Sequence, residues 1–527
     1  MTTGLTHSIA LEGVTGNLVT IEADVHNGVP SWALSGLPDN VVAQSRDRCR
    51  AAMVNSGEEW PDRRVTVAMY PADVRKAGSH YDLAIALALL VANEKLGSRR
   101  VRGTVVLGEL ALDGRVRAVP GVLPAVLAAA DHGFDRAVVP EPNVAEARLV
   151  DGIEIVAVRS LGECMAVLGG KPLPDDLPPL VEEPEVRPRI LSAPRAESLD
   201  LADVRGQAAA RRSVEVAAAG GHHLFLVGPP GAGKTMLAER LPGLVPDLSL
   251  RQSIEVSKIH SVAGLLSRDQ PRLVRPPFLA PHHNDTVASV VGGGSRQIRP
   301  GAISLAHLGV LFMDEAPEFK PSVHDALRQP LESGQICIRR ADAAAWFPAC
   351  FQLVLAANPC PCGLGYGKGA QCKCPPDRLR RYQARISGPI RDRIDITQTV
   401  PPLSRAEMRR AAGPDDATAA VAARVLEARL RQATRYADLP WQSNADVASS
   451  QFRRRAPLSV EAANLIEDTV ADGRLTQRGA DRVARLSWTL ADLDAAAEPT
   501  VGHVLDALRL RSDGAVGGPI RAGALSA

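Results

Sequence analysis

Aromatic side chains make up only 3% of the 527 residues, which argues against an extended groove of rings stacking on successive bases. An excess of charge of one sign is also missing: 61 Lys and Arg stand against 59 Asp and Glu, for a formal net charge of +2. Bulk charge therefore announces no nucleic-acid partner. Any such surface has to be local, as in "RLRRYQAR" (378–385) or "FRRR" (452–455), and each of these also reads as an ordinary solvated helix face. Long apolar runs are absent as well. "LAIALALLVA" (83–92) falls well short of the roughly 20 residues that span a bilayer, so no membrane partner is expected. The opening residues "MTTGLTHSIALEG" lack a basic segment followed by an apolar core, so a cytoplasmic protein is expected. Disulfides are disfavoured in that compartment, and clustered thiols there point to a metal.

What is present is the composition of a soluble globular protein, 45% apolar and 23% charged, in a chain long enough for two to four domains. The expected class is a multidomain α/β fold. Residues 1–170 alternate β-type runs ("LVTIEADV", "RRVTVAMY", "GTVVLGEL", "RAVVP") with alanine-rich helical patterns ("DLAIALALLVANEKL", "VLPAVLAAADHG"). Residues 171–200 are dense in proline and read as an extended linker. Strand and helix alternate again over 201–400, residues 401–511 are almost wholly helical, and 512–527 have the pattern of a mobile tail.

The most specific signal is "HHLFLVGPPGAGKTMLAERL", a short apolar run, then G-x-x-x-x-G-K-T, then a helical pattern. Glycines at that spacing let backbone amides and a helix N-terminus wrap a phosphate. Gly228, Pro229, Pro230, Gly231, Ala232, Gly233, Lys234, Thr235 and Met236 are thus the expected ATP-binding loop. Lys234 reaches the β and γ phosphates and Thr235 ligates Mg²⁺. A second strand, "GVLFMDE", ends in Asp314, suited to hold the hydrated Mg²⁺, and Glu315, suited to polarise the attacking water. A third, "FQLVLAAN", ends in Asn358, placed to orient that water.

Four of the eight cysteines then fall within "NPCPCGLGYGKGAQCKC" (358–374). Cys360, Cys362, Cys372 and Cys374 could fill a closed tetrahedral Zn²⁺ shell of a structural kind, although C-x-C is tighter than the usual C-x₂-C knuckle; redox-labile thiols are the alternative. His282 and His283 are a weaker metal pair, because no third ligand lies at motif spacing.

The stretches "GPPGAGKT", "VLFMDE", "AANPCPCG" and "ISGPIRDRIDI" resemble AAA+ P-loop ATPases of the magnesium-chelatase and minichromosome-maintenance clade. That resemblance implies that Arg393 is an arginine finger supplied to a neighbouring subunit, Arg391 being the poorer candidate because its position is usually apolar in relatives. It implies a helical lid over 401–511 in which "LTQRGADRVARLSWTLADL" (475–493) carries the sensor Arg478, with Arg482 as the alternative. A finger acting in trans implies a homo-oligomeric ring, most simply a hexamer, and poor hydrolysis by an isolated chain.

"GLPDNVVAQSRDR", "GELALDGRVRAVPGVLPA", "APHHNDTVASVVGGG" and "PGAISLAHLGVLFMDEAPEF" are similar to one group within that clade, the ComM/YifB family. Leu279 and Ala302 depart from it, standing where relatives often carry Arg and Glu. Members of that family act as ring motors on branched DNA, driving branch migration as incoming strands recombine in natural transformation. The resemblance thus implies DNA junctions, and possible recombination proteins, as partners. In the insert before the second strand, Gly292 to Gly294 permit a tight backbone excursion and Arg296 and Arg299 could meet phosphates, while "GQICIRRADAAAWFPACFQLV" reads as a hairpin with Arg339 and Arg340 near its tip. These arginines are the candidates for DNA contact, with subunit packing as the alternative. Residues 1–170 resemble the proteolytic domain of Lon, a ribosomal protein S5 domain 2-like fold. Aligned so, His80 takes the nucleophile's place and Ala125 the lysine's, which implies a proteolytically inactive scaffold. The alternative class is a magnesium-chelatase-like or protein-remodelling motor whose substrate is not DNA, although chelatase motor subunits lack the Lon-like domain and the four-cysteine insert. A third is an ATP-binding ring without translocation.

Overall fold

The computed structural model describes residues 3–37, 39–76, 78–173, 199–294, 298–340, 343–365, 372–405, 407, 413–439 and 443–512. The expected linker lies mostly outside these residues, as do Arg296 and nearly all of the expected tail.

The N-terminal part is built on a mixed sheet. Strands β1 (Gly4–Glu12) and β2 (Thr15–His26) form an antiparallel hairpin whose tight turn places Gly13 at φ +65°, a left-handed conformation suited to glycine. Strands β3 (Ser31–Ser35), β4 (Arg64–Tyr70), β5 (Thr104–Val106), β6 (Arg136–Pro140) and β7 (Glu154–Val158) complete it in the order β3-β4-β2-β1-β5-β6-β7. Helix α1 (Asp82–Ala92) is apolar on every face after its first residue, and every one of its residues is buried. It covers β1 and β2, with Thr6 Oγ1 donating to its Ala84 carbonyl at 2.9 Å. Helix α2 (Val122–Asp131) also packs on β1 and β2.

The central part is a second sheet, all parallel. Its strands are β8 (Leu224–Val227), β9 (Phe278–Leu279), β10 (Val310–Met313), β11 (Gln352–Ala357) and β12 (Ile396–Thr399), in the order β9-β10-β11-β8-β12. "VLFM" and "QLVLAA" are buried at every position, as strands covered on both faces must be. Helix α3 (Ala208–Gly220) lies in one core with β8, β10, β11 and β12, and that core runs on into the C-terminal helices. Those are α4 (Thr418–Arg435), α5 (Val460–Ala471), α6 (Gln477–Leu493) and α7 (Val501–Ser512). The opposite face of the sheet packs on a helix spanning Leu250–Ala263 and on an antiparallel hairpin, Gln335–Arg340 with Ala343–Pro348.

The two sheets are joined through that second layer. Ser261, on the Leu250–Ala263 helix, donates through Oγ to the buried Glu146 of the N-terminal part and accepts from the Gly121 amide at 2.9 Å. Glu146 also accepts from the Leu123 amide at 3.3 Å and from Asn143 at 2.7 Å. Burial pushes its carboxyl above the ordinary range, and these donors oppose the shift. At the hairpin, the Gly13 turn lies against the Trp346 carbonyl so closely that a Cβ would not fit. Among the described residues no helix is long and apolar enough to cross a membrane.

The Lon-like alignment is met by geometry that separates its parts. His80 is half-buried, its Nε2 lies 3.1 Å from the Ile9 carbonyl, and desolvation lowers its pKa to about 4. The Ser79 hydroxyl donates to Glu109, whereas the buried Lys76 amine donates to the Pro71 carbonyl and, at 2.9 Å, to that of Val74.

Candidate active site

Register brings the chemistry to one edge. Val227 pairs with Ala357 across β8 and β11, and Met313 pairs with Leu355 across β10 and β11. The next residue on each strand, Gly228, Asp314 and Asn358, therefore emerges at the same carboxyl edge, with the Gly228 amide on the Ala357 carbonyl at 3.1 Å. From Gly228 the chain turns through Gly231 (φ +75°) and Gly233 (φ +91°) into the helix Lys234–Arg240. Nothing lies within 4 Å of where a Cβ would stand at either glycine, so the loop encloses open space, the form a phosphate cradle requires.

Lys234 Nζ donates to the carbonyls of Gly228 at 2.7 Å and Pro229 at 2.9 Å, and to Asn358 Oδ1 at 3.2 Å. Burial lowers its pKa, against the opposing pull of Asp314 and Glu315. Thr235 Oγ1 donates to Asp314 Oδ2 at 2.8 Å, so a hydroxyl and a carboxylate meet where a divalent cation needs oxygen ligands. The other Asp314 oxygen accepts from the Glu315 amide at 2.9 Å. Glu315 is in the left-handed region, at φ +49°, an uncommon conformation for a side-chain-bearing residue.

Sequence reasoning missed what Glu315 meets. His283 Nδ1 is 3.2 Å from Glu315 Oε2, and the His283 ring lies beside His282 and Phe319. Neither histidine belongs to a metal-ligating cluster among the described residues. His283 reads instead as a hydrogen-bonding support for the carboxylate, with the His282 ring beside it. Only tertiary packing carries this signal, because His283 follows β9 and Glu315 follows β10.

The candidate arginines gather elsewhere. Arg393 is nearly buried, pairs with Glu332, and donates to the Pro389 carbonyl at 2.6 Å. Arg482 donates to the Arg393 carbonyl at 2.8 Å and pairs with Asp395, while Arg478 stands 71% exposed with Asp392 at 3.3 Å. Arg391 donates to the Gln383 carbonyl. Burial lowers the Arg393 pKa, and the adjacent Arg478, Arg482 and Arg328 lower it further. The structure thus joins Lys234, Thr235, Asp314, Glu315 and Asn358 at one edge. Arg393, Arg478 and Arg482 form a second group around the turn that precedes β12.

The four cysteines converge directly after Asn358. Cys360 and Cys362 Sγ are 3.3 Å apart, Cys362 and Cys372 3.7 Å, and Cys372 and Cys360 3.6 Å, with all four sulfurs within 4.8 Å of one another. A tetrahedron of thiolates at about 2.3 Å from one ion has edges of about 3.8 Å, so the set fits a single Zn²⁺-sized cation. The Leu364 amide and the Cys360 sulfur lower the Cys362 thiol to about 6, while burial foremost raises that of Cys360.

Residues 200–408 match the family described as magnesium chelatase, subunit ChlI; residues 21–143 match its ChlI subunit family, and 415–511 its C-terminal family. A protein of Mycobacterium tuberculosis is 47% identical over 98% of this chain and 100% of its own. YifB of Escherichia coli is 38% identical over 97% of each chain. Competence protein ComM of Haemophilus influenzae is 37% identical over 97% of this chain and 98% of its own. Shorter stretches resemble Lon protease of Mycolicibacterium smegmatis (26% identical, 31% of this chain and 22% of Lon) and DNA repair protein RadA of E. coli (30%, 32% and 35%). Together with an all-parallel sheet that gathers a phosphate-binding loop and two carboxylates at one edge, these likenesses make the chain a member of the ComM/YifB family of magnesium-chelatase-like AAA+ ATPases.

Proposed function

We propose that this ATPase is a ring motor acting on branched DNA, driving branch migration as incoming strands recombine. The observation that carries the reading is similarity along nearly the whole chain to a competence protein, ComM. The partial likeness to a DNA repair protein supports it. Bound ATP with Mg²⁺ supplies the phosphoanhydride whose hydrolysis powers the ring. Gly228 to Met236 wrap the phosphates, Lys234 neutralises their charge, and Thr235 and Asp314 hold the cation. Glu315 accepts the proton of the attacking water and Asn358 orients that water. Arg393 leaves Glu332 to reach the nucleotide of the adjacent subunit, with Arg478 as the lid's own cation, and the ring is a hexamer in the cytoplasm. The N-terminal part is a proteolytically inactive scaffold. Cys360, Cys362, Cys372 and Cys374 hold one structural Zn²⁺.

A second reading, a chelatase-like or protein-remodelling motor, is favoured by the match of residues 200–408 and 415–511 to magnesium-chelatase families. The two part on one experiment: movement of a synthetic four-way junction by the wild type and by Glu315→Gln, with ATPase followed in parallel. A DNA motor moves the junction with ATP, is stimulated by it, and stops in Glu315→Gln. Failure of both proteins to bind the junction would overturn the DNA reading and leave the chelatase-like one.

A further inference from the structure

The four-cysteine loop does more than follow the site: it rests on the phosphate loop. Gly363, between the two cysteine pairs, is at φ +77°, and a Cβ added there would stand 2.7 Å from Pro230 Cδ and 2.8 Å from its Cγ. Pro230 lies within the phosphate loop, next to the open turn at Gly231. The Gly363 amide closes a tight turn onto the Cys360 carbonyl at 3.0 Å, and the Gly365 amide donates to Cys360 Sγ at 3.1 Å. On the other side of Cys360, Asn358 holds Lys234 and the Ala357 carbonyl holds the Gly228 amide. The buried Tyr382 ties the helix Pro376–Ala384, which follows the second cysteine pair, to the Asn358 backbone; burial pushes its hydroxyl up to about 12.

We infer that a Zn²⁺ ion on Cys360, Cys362, Cys372 and Cys374 sets nucleotide affinity, by pressing the Gly363 turn against Pro230 and so fixing the phosphate loop in its binding shape. The inference rests on the zinc reading given above. Its physical basis is loop entropy. Without the ion, nothing covalent closes the segment from 360 to 374, and the Gly363 turn is free to leave Pro230. The backbone amides that meet a phosphate then have to be ordered by the nucleotide itself, which weakens binding. The coupling is reciprocal, so a bound nucleotide also tightens zinc.

The test is titration of the full chain with a fluorescent ATP analogue, zinc per chain being measured on the same samples. Zinc-loaded wild type is compared with chelator-treated wild type, with the chelated sample resupplied with zinc, with Cys362→Ser, and with Gly363→Ala. Zinc removal and Cys362→Ser are expected to weaken binding by roughly tenfold, within the range of typical coupling energies, and resupply restores it. Gly363→Ala separates contact from metal: it keeps one zinc per chain and still weakens binding. Because that variant retains the ion, it decides the matter even where chelation unfolds the chain. The same nucleotide affinity in all samples, with one zinc per chain in the loaded wild type, would overturn the coupling and leave the zinc reading standing. A wild type that takes up no zinc on titration would overturn both.

Discussion

Lys76 and Lys234 are each buried, and each donates to two backbone carbonyls, Lys76 to those of Pro71 and Val74, Lys234 to those of Gly228 and Pro229. Burial lowers the pKa of both. Beyond that they diverge. Lys234 also meets Asn358, feels two carboxylates, and lies beside glycines whose Cβ positions face empty space. The charge that opposes burial at Lys76 is that of Asp73, and the neighbouring Ser79 is turned to Glu109. A buried lysine is thus not in itself a catalytic feature. Convergent polar groups and room for a ligand distinguish the nucleotide edge from the N-terminal sheet.

The comparison breaks most visibly if the two lysines respond alike. Lys234→Ala is expected to lower steady-state ATP hydrolysis by about 1,000-fold, while Lys76→Met leaves it unchanged. Equal losses in both would make the N-terminal lysine part of the same machinery. Glu315→Gln sharpens the contrast within the edge itself, because in the proposed mechanism it removes the proton acceptor and leaves the phosphate-binding residues in place. Hydrolysis should fall about 100-fold with nucleotide binding retained, as read by titration beside single-turnover kinetics.

Two smaller effects concern what each region touches. Arg339 and Arg340 are exposed at the hairpin end of the central part, so reversing both charges is expected to weaken junction binding about tenfold and to flatten its dependence on salt. An unchanged salt slope would remove the hairpin from the DNA path. Glu146 fastens the N-terminal part to the Leu250–Ala263 helix, and Glu146→Ala removes the carboxylate to which the Ser261 hydroxyl donates and leaves the Leu123 amide only its 3.3 Å bond to Ser261 Oγ. A loss of about 1–3 kcal/mol in denaturant unfolding is expected. The pH dependence carries the opposite sign to that of a salt-bridged carboxylate. With its folded pKa raised by burial, Glu146 contributes most below its unfolded value, and the contribution declines as pH rises through the folded one. Glu146→Ala should flatten that part of the pH profile.

The nucleotide edge was far more legible in the sequence than the contacts that surround it, and the reason is range. Gly228 to Thr235 act through local backbone shape, so spacing alone exposes them, and apolar runs ending in Asp314 and Asn358 declare their own position on strands. The cysteines are equally local in pattern. His283 against Glu315, Gly363 against Pro230 and Glu146 against Ser261 each join segments that only the folded chain brings together, through residues with no motif of their own. Arg393 stands between these cases. Its position resembles a finger aimed at a neighbour, whereas within one chain its side chain pairs with Glu332, a partner that sequence spacing does not disclose.

The smallest expected effect is also the one that could redraw the comparison. A serine nucleophile needs a partner that takes its proton and a neighbourhood that stabilises the resulting charge. Ser79 instead donates to Glu109, while the nearby Lys76 amine is turned to two carbonyls and His80 is held neutral by desolvation against the Ile9 carbonyl. Ser79→Ala should therefore leave ATPase unchanged and shift stability by no more than about 1 kcal/mol, in a wild type that cleaves no unstructured protein. Casein digestion with and without ATP is the check. Cleavage by the wild type that vanishes in Ser79→Ala would mean that the Glu109 contact is a resting state, and that the N-terminal sheet carries a second catalytic centre driven by the first.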